Sequence, residues 1–262
     1  MKTGILLAAF GSSEPTAHRE LTAFEATVRE AFPTLPIRWA FTSNIIRHRL
    51  ADEGKKTDSV RKALLRMWHE KFTHIAVQSL HVVPGKEYTD LAREVTHPGP
   101  DNEAFTRVTL GAPLLNTDQD VEKVADAIIA HLPEQRAALE TVILMGHGTW
   151  HSGDSRYAPL ASAVARRDPN ILLATMNGAR TIHHVLEEFA ADPPAKVWLV
   201  PLMAVAGAHA IQDMAGDDPE SWKSLLASAG ISCDPVLKGV AGYPGFAEIW
   251  IEHLRRALDE LA

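Results

Sequence analysis

Short apolar runs alternate along the chain with longer stretches that have the pattern of helices. The clearest runs are ILLAAF at 5–10, HIAVQSL at 74–80, TVILM at 141–145 and VWLVPLM at 197–203. Runs of this kind are typical of strands that are buried on both faces, as in parallel sheets. The pattern predicts an α/β fold, with parallel strands alternating with helices that cover both faces of each sheet.

The two halves of the chain repeat this pattern. The segment at 4–13 is similar to that at 141–150, which sets Phe10 opposite His147 and Ser12 opposite Thr149. The segment at 74–87 is similar to that at 196–209, and WAFTSN at 39–44 is set against LLATMN at 172–177. We therefore predict an internal duplication in which each half holds a parallel four-stranded sheet with flanking helices. The fourth strands are expected near 105–110 and 233–237.

Pro133 interrupts the pattern between the halves, so the linker is placed at 131–139. Residues 1–130 are predicted to form an N-terminal lobe and residues 139–245 a C-terminal lobe. In open α/β sheets, ligands bind beyond the carboxyl ends of the strands. The loops at these ends should line a cleft between the two lobes.

Two histidines follow apolar runs and have glycines beside them. His147 lies between Gly146 and Gly148, and His209 comes two residues after Gly207. The pair could converge on one metal ion or on one proton-transfer site, and the alternative is two loop histidines with local hydrogen bonds. Asp213, Asp217 and Asp218 follow His209 and either bond ring nitrogens or form a polar loop.

Glu87 occupies the position that matches His209 in the first half. It is expected to face the cleft from the opposite wall, although a carboxylate stabilised at a helix N-terminus explains it equally well. Two imidazoles and a carboxylate suit a borderline divalent ion such as cobalt, nickel, iron(II) or zinc. The same groups could accept protons near neutral pH.

Composition narrows the classes of protein. With 26 Lys and Arg against 33 Asp and Glu, the net charge of −7 argues against general nucleic-acid binding. Cys233 is the single cysteine, so neither an intrachain disulfide nor a cysteine-based zinc site is available. The apolar run near the N-terminus is too short for a membrane span and is interpreted as the first strand. A cytoplasmic protein with no membrane partner is expected, and a homo-oligomer is left open.

Nucleotide motifs are absent from the sequence. Neither the phosphate-loop pattern GxxxxGK[ST] nor GxGxxG after a strand occurs, so no nucleotide cofactor is expected. The residues after the first strand, including Ser12 and Ser13, could instead hold an anion at a helix N-terminus. Arg47 and Arg49 flank His48 and either attract an anionic substrate or form a solvated helix face.

These motifs together resemble a known family. They are AFGSS at 9–13, AFTS at 40–43, QSLHVVPGKEY at 78–88, LGAPLL at 110–115, MGHGT at 145–149 and PLMAVAGAHAIQDMAGDD at 201–218. The chain resembles, nearly end to end, the anaerobic sirohydrochlorin cobaltochelatases of the CbiK type, within the class II chelatases. The resemblance implies two flavodoxin-like lobes with a tetrapyrrole cleft between them, and a C-terminal helix at 246–262 that packs back on the first lobe.

The activity that the resemblance implies is insertion of cobalt(II), as the substrate metal, into sirohydrochlorin during anaerobic cobalamin biosynthesis. His147 and His209 match the family's metal-binding histidines, and Glu87 matches an active-site carboxylate. Asn177, the third predicted metal ligand, stands where the family often has a glutamate and offers a neutral carbonyl oxygen, which predicts weaker metal binding at that point or a site that relies more on Glu87. Trp150 either stacks on the macrocycle or only packs.

The substrate's carboxylates are expected to meet basic and hydroxyl side chains. The candidates are Arg47, Arg49, Lys86, Arg93, Ser12 and Ser13. Two alternatives are left open. One is a ferrochelatase for sirohaem on the same scaffold, and the other is a non-catalytic carrier of metal or tetrapyrrole in which Asn177 marks lost catalysis.

Overall fold

The structure is a computed structural model that describes residues 2–96 and 107–262. The strands are β1 (Thr3–Ala9), β2 (Ile37–Phe41), β3 (His74–Ser79), β4 (Arg107–Gly111), β5 (Thr141–Gly146), β6 (Ile171–Thr175), β7 (Lys196–Leu202) and β8 (Ser232–Pro235). The helices are α1 (Pro15–Ala31), α2 (Asn44–Asp52), α3 (Val60–His69), α4 (Lys86–Thr96), α5 (Asp118–Ala130), α6 (Tyr157–Arg167), α7 (Ile182–Phe189), α8 (Trp222–Ser228) and α9 (Pro244–Asp259). None of these helices is long and apolar enough to cross a membrane.

The eight strands form two parallel sheets with the same strand order. The first half of the chain gives β2-β1-β3-β4 and the second half gives β6-β5-β7-β8. Apolar side chains of the inner strands are buried on both faces, as the continuous apolar runs predicted. The predicted fold class and the duplication are confirmed. Of the fourth strand predicted at 105–110, positions 105 and 106 lie outside the described residues.

One part of the predicted repeat is wrong by a residue. Ala9 pairs with Phe41 in the first sheet, and the matching Gly146 pairs with Thr175 in the second. Ser43, not Asn44, is therefore the counterpart of Asn177. The segments compared there contain no glycine before position 178 to anchor their alignment, and apolar strand residues match equally well in either register.

Two equivalent glycines turn the chain after the first strand of each half. Gly11 has φ of 92° and Gly148 has φ of 73°, a backbone region that favours glycine. A Cβ at Gly11 would lie 2.7 Å from the ring of Phe41, and one at Gly148 would lie 1.9 Å from the carbonyl oxygen of Asn177. Both turns therefore need glycine for its conformation and for its small size.

Helix α9 packs on β3 and β4 of the first sheet. Thr109 in β4 donates a hydrogen bond to the carbonyl oxygen of Ala257 at 2.6 Å. His253 is buried, with Nε2 3.0 Å from Asp120 Oδ1 and Nδ1 3.2 Å from the carbonyl oxygen of Ala112. Burial acts to raise the pKa of Asp120, but hydrogen bonds from His253 and Thr117 outweigh it and hold that pKa at about 2. The hydrogen bond between His253 and Asp120 thus fastens α9 to α5.

Candidate metal centre and cleft

The loops that follow β3 and β7 have the same backbone hydrogen bonds. The N–H of Gly85 donates to the carbonyl oxygen of Val83 at 2.8 Å, and Gly207 donates to Val205 at 3.0 Å. The carbonyl oxygen of each glycine then accepts the N–H of the residue four positions later, at 3.0 Å in the first loop and 3.1 Å in the second. Glu87 in the first turn of α4 and His209 at the start of the π-helical turn His209–Met214 therefore stand at equivalent positions.

The structure brings the two predicted histidines together. His147 follows β5 and His209 follows β7, and these strands are neighbours in the second sheet. The centroids of their rings are 5.1 Å apart, with the ring planes at 71°. Both side chains are exposed. Two imidazoles at this separation can ligate one ion or exchange protons with one substrate.

Hydrogen bonds fix which nitrogen of each ring is available. Nδ1 of His147 is 2.9 Å from the carbonyl oxygen of Gly148, which can only accept, so Nδ1 carries a proton. Nδ1 of His209 is 2.7 Å from Asp213 Oδ2. In the neutral form of each ring, Nε2 then keeps its lone pair for a metal ion or a proton. Asp213 thus bonds a ring nitrogen, whereas Asp217 pairs with Lys223.

A carboxylate that the sequence did not single out joins the loops that follow β5 and β6. Asp154 accepts the N–H of Thr149 at 3.0 Å through Oδ1 and the N–H of Ala179 at 3.3 Å through Oδ2. The N–H of Asn177 also donates to the carbonyl oxygen of His147 at 3.0 Å. His147 and Asn177 therefore sit on one braced unit, which limits their relative movement.

The two halves meet at the cleft through a pair of equivalent contacts. A Cβ at Gly85 would lie 3.4 Å from Thr149 Cγ2, and one at Gly207 would lie 3.1 Å from Ser12 Oγ. Because Ser12 and Thr149 are counterparts in the duplication, the halves are related by a pseudo-twofold axis at this point. Ser12 is buried in this contact, and its Oγ accepts the N–H of Glu14 at 3.1 Å.

Comparison with known proteins identifies the family. The family model described as Cobalt chelatase (CbiK) matches residues 3–259. The chain belongs to this cobalt chelatase family. A sirohydrochlorin cobaltochelatase, CbiKC, of Nitratidesulfovibrio vulgaris (strain Hildenborough) is 52% identical over 260 residues, which cover 99% of this chain and 92% of that protein. The sirohydrochlorin cobaltochelatase of Salmonella typhimurium is 33% identical over 261 residues, covering 99% and 97%.

Solved structures agree with the fold. The sirohydrochlorin chelatase SirB from Bacillus subtilis subspecies spizizenii, in complex with cobalt, gives a TM-score of 0.67 at 14% identity, covering 99% of this chain and 97% of that one. At this identity the likeness concerns the fold alone. The family predicted from the sequence motifs is confirmed, and the roles of single residues in this cobalt chelatase stay predictions.

The histidine pair has no full set of charged ligands around it. Within residues 2–96 and 107–262, no group of three or more His, Cys, Asp or Glu side chains is placed to hold a metal ion. Asn177, the third metal ligand predicted from the sequence, is exposed.

Exposed apolar side chains lie just past three strands of this cobalt chelatase. Trp150 is 87% exposed, Ile45 is 73% exposed and Phe10 is 44% exposed. They follow the carboxyl ends of β5, β2 and β1, and the two histidines likewise follow the carboxyl ends of β5 and β7. Trp150 is a predicted substrate contact, and the sequence did not single out Phe10 or Ile45 as one. Phe10 directly follows β1, whereas Ile45 lies in the first turn of α2 and Trp150 is four residues past the end of β5.

The basic side chains predicted to meet the substrate differ in availability. Arg47 donates to the carbonyl oxygens of Phe41 and Thr42, at 2.5 and 3.0 Å, and so closes the end of β2. Lys86 is exposed and pairs with Asp90 on the next turn of α4. Arg49 is exposed and its Nη1 is 3.4 Å from Ser13 Oγ. Arg49 and Ser13 are therefore better placed than Arg47 to meet an anionic substrate.

Proposed function

We propose that this chain is a cytoplasmic sirohydrochlorin cobaltochelatase of anaerobic cobalamin biosynthesis. The observation that carries the proposal is the His147 and His209 pair, with ring centroids 5.1 Å apart and both Nδ1 atoms engaged. Membership in the cobalt chelatase family and two relatives that are named sirohydrochlorin cobaltochelatases support it. Imidazole nitrogen is a suitable ligand for cobalt(II).

The reaction exchanges one cobalt(II) ion for two pyrrole protons of the macrocycle. The Nε2 atoms of His147 and His209 take up the ion as it loses water, and the macrocycle nitrogens then replace them. Glu87, on the wall that faces the histidines, accepts pyrrole protons and passes them to solvent. Contacts that bend the macrocycle accelerate insertion only if they are stronger in the transition state than in the ground state.

The remaining side chains hold the macrocycle. Trp150, Phe10 and Ile45 offer apolar surface of the kind that packs against a flat ring system. Arg49, Lys86 and Ser13 supply charge and hydrogen bonds for the peripheral carboxylates of sirohydrochlorin. In this arrangement the second half binds the metal, and side chains of both halves bind the organic substrate.

The test is an anaerobic insertion assay with purified protein, sirohydrochlorin and cobalt(II), followed by the visible spectrum. The wild type should convert substrate well above the non-enzymatic rate, and the His147→Ala His209→Ala variant should not. His69→Ala, an exposed histidine at the end of α3, is the matched control and should insert normally. Equal rates in the wild type and the double variant would contradict the proposal.

A non-catalytic carrier is the second candidate, favoured by Asn177 in place of a charged ligand. The same assay separates the two, because a carrier gives a spectral shift that saturates at one equivalent without turnover. Imidazole ligands suit both cobalt(II) and iron(II). A parallel series of assays with iron(II) therefore separates a cobaltochelatase from a ferrochelatase for sirohaem.

A further inference from the structure

The loop that carries His209 is held by a carboxylate from the other half of the chain. Glu20 lies on α1 and its side chain is buried. Its Oε2 accepts the N–H of Ala206 at 2.9 Å, and its Oε1 accepts the N–H of Gly239 at 2.9 Å. One side chain thus fastens two loops of the second half to the first.

The first half has no such donors at the equivalent positions. Ala206 corresponds to Pro84, because the loops after β3 and β7 share their backbone bonds. The loops after β4 and β8 also correspond: Leu114 donates to the carbonyl of His81 at 2.9 Å, as Val240 does to that of Met203.

This second match sets Gly239 opposite Pro113. Both prolines lack an N–H, so the first half has no backbone donor at these points that needs an acceptor. In the second half, two buried N–H groups face inward and need an acceptor.

The surroundings of Glu20 show that its place is specific. Burial raises the pKa of Glu20, while the N–H groups of Gly239 and Ala206 and the charges of Lys238 and Arg19 oppose that rise. The two loops that Glu20 joins also touch directly, since a Cβ at Gly239 would lie 2.3 Å from Val205 Cα. A change at Glu20 would therefore be transmitted along the tight turn from Ala206 to His209.

We propose that Glu20 is a positioning residue for the metal centre, which sets His209 relative to His147 by clamping the loop at 202–209 onto α1. The inference rests on the proposed function for its catalytic meaning, but the placement of His209 can be read from cobalt binding alone. A carboxylate has an acceptor for each N–H. The amide of glutamine keeps one acceptor and turns its NH₂ toward the other donor.

The experiment compares Glu20→Gln and Glu20→Ala with Glu25→Gln in the full-length protein. Glu25 lies on the same helix and accepts the indole N–H of Trp39 at 2.6 Å, within the first half. Cobalt(II) binding without macrocycle is followed by the visible absorption of the bound ion, and kcat and KM for insertion and Tm are measured beside it. Glu20→Gln should weaken cobalt(II) affinity about tenfold and change the absorption band, with a larger loss in Glu20→Ala. Glu25→Gln should bind cobalt(II) as the wild type does.

Unchanged cobalt(II) affinity and spectrum in folded Glu20→Gln would overturn the proposal, whatever happens to Tm, because that result describes a purely structural clamp. An equal effect of Glu25→Gln would also overturn it. If Glu20→Ala does not fold, Glu20→Gln decides alone. Failure of the proposed function looks different: the wild type then binds cobalt(II) and inserts none, and the effect of Glu20 on binding is still measurable.

Discussion

The loops after β3 and β7 share a backbone and differ in chemistry. Where one carries Glu87, the other carries His209, and where one has Pro84, the other has Ala206 with an N–H that Glu20 accepts. The loops after β1 and β5 differ likewise, since His147 corresponds to Phe10. The duplication therefore preserved the backbone of these loops while their side chains diverged, and both histidines proposed to bind the metal lie in the second half.

The largest expected effect comes from making the second half resemble the first. His209→Glu removes one imidazole and should lower kcat/KM for cobalt insertion about 1,000-fold, the scale of losing a group that takes part directly in catalysis. Steady-state kinetics in the anaerobic assay measure it.

Adding Glu87→His to His209→Glu should not restore activity. Asp213 orients the ring of His209, and its counterpart in the first half is the buried Leu91. An imidazole at position 87 would therefore have no carboxylate at the equivalent position to orient it. Recovery in the double variant would mean that either wall can hold the metal.

The next effect concerns the backbone of the loops, at two glycines where they turn or pack closely. Gly148→Ala places a side chain in a left-handed backbone position and against the carbonyl of Asn177, so it should destabilise the protein by at least about 3 kcal/mol. Gly85→Ala meets only an ordinary contact with Thr149 and should cost less than about 1 kcal/mol. Denaturant unfolding of both variants measures the difference, and similar losses would refute the argument from close approach.

A smaller effect separates proton acceptance from metal binding. Glu87→Gln should lower kcat about 100-fold, because a neutral amide cannot accept the pyrrole protons. Cobalt(II) affinity without macrocycle should stay unchanged, since the imidazoles of His147 and His209 are the proposed metal ligands. A parallel fall in affinity would place Glu87 on the metal instead.

The smallest effect is expected at Asn177, the predicted ligand that carries no charge. Asn177→Glu adds an exposed charge on the loop braced to His147 and should tighten cobalt(II) binding about threefold, as for other exposed charge interactions. Titration of the two proteins with cobalt(II) measures this. Weaker binding in the variant would show that the amide is itself a preferred ligand.

The sequence predicted those features that depend on residue type at fixed spacing. Apolar runs predicted both sheets, and glycines beside His147 and His209 anchored the repeat that set them at strand ends. The comparison of 39–44 with 172–177 slipped by one residue because apolar strand residues are interchangeable. Only the paired register of β1 with β2 and of β5 with β6 corrected it.

The supporting carboxylates could not be predicted in this way. Glu20 and Asp154 bind backbone N–H groups, which every residue except proline has and which leave no mark on composition. The partners of Glu20 are 186 and 219 positions away in the chain. Backbone carbonyls likewise leave no mark on the sequence, and two of them at the end of β2 accept hydrogen bonds from Arg47, whose predicted contact with substrate stays a prediction.

Helix α9 has a consequence for how the protein is made. It covers β3 and β4, yet a ribosome synthesises it only after every strand of both sheets. During translation, one face of the first sheet stays without its cover until residues 244–259 emerge. The half that is made first is thus completed last, and a nascent chain that stalls within the second half exposes an apolar sheet surface to aggregation and to chaperones.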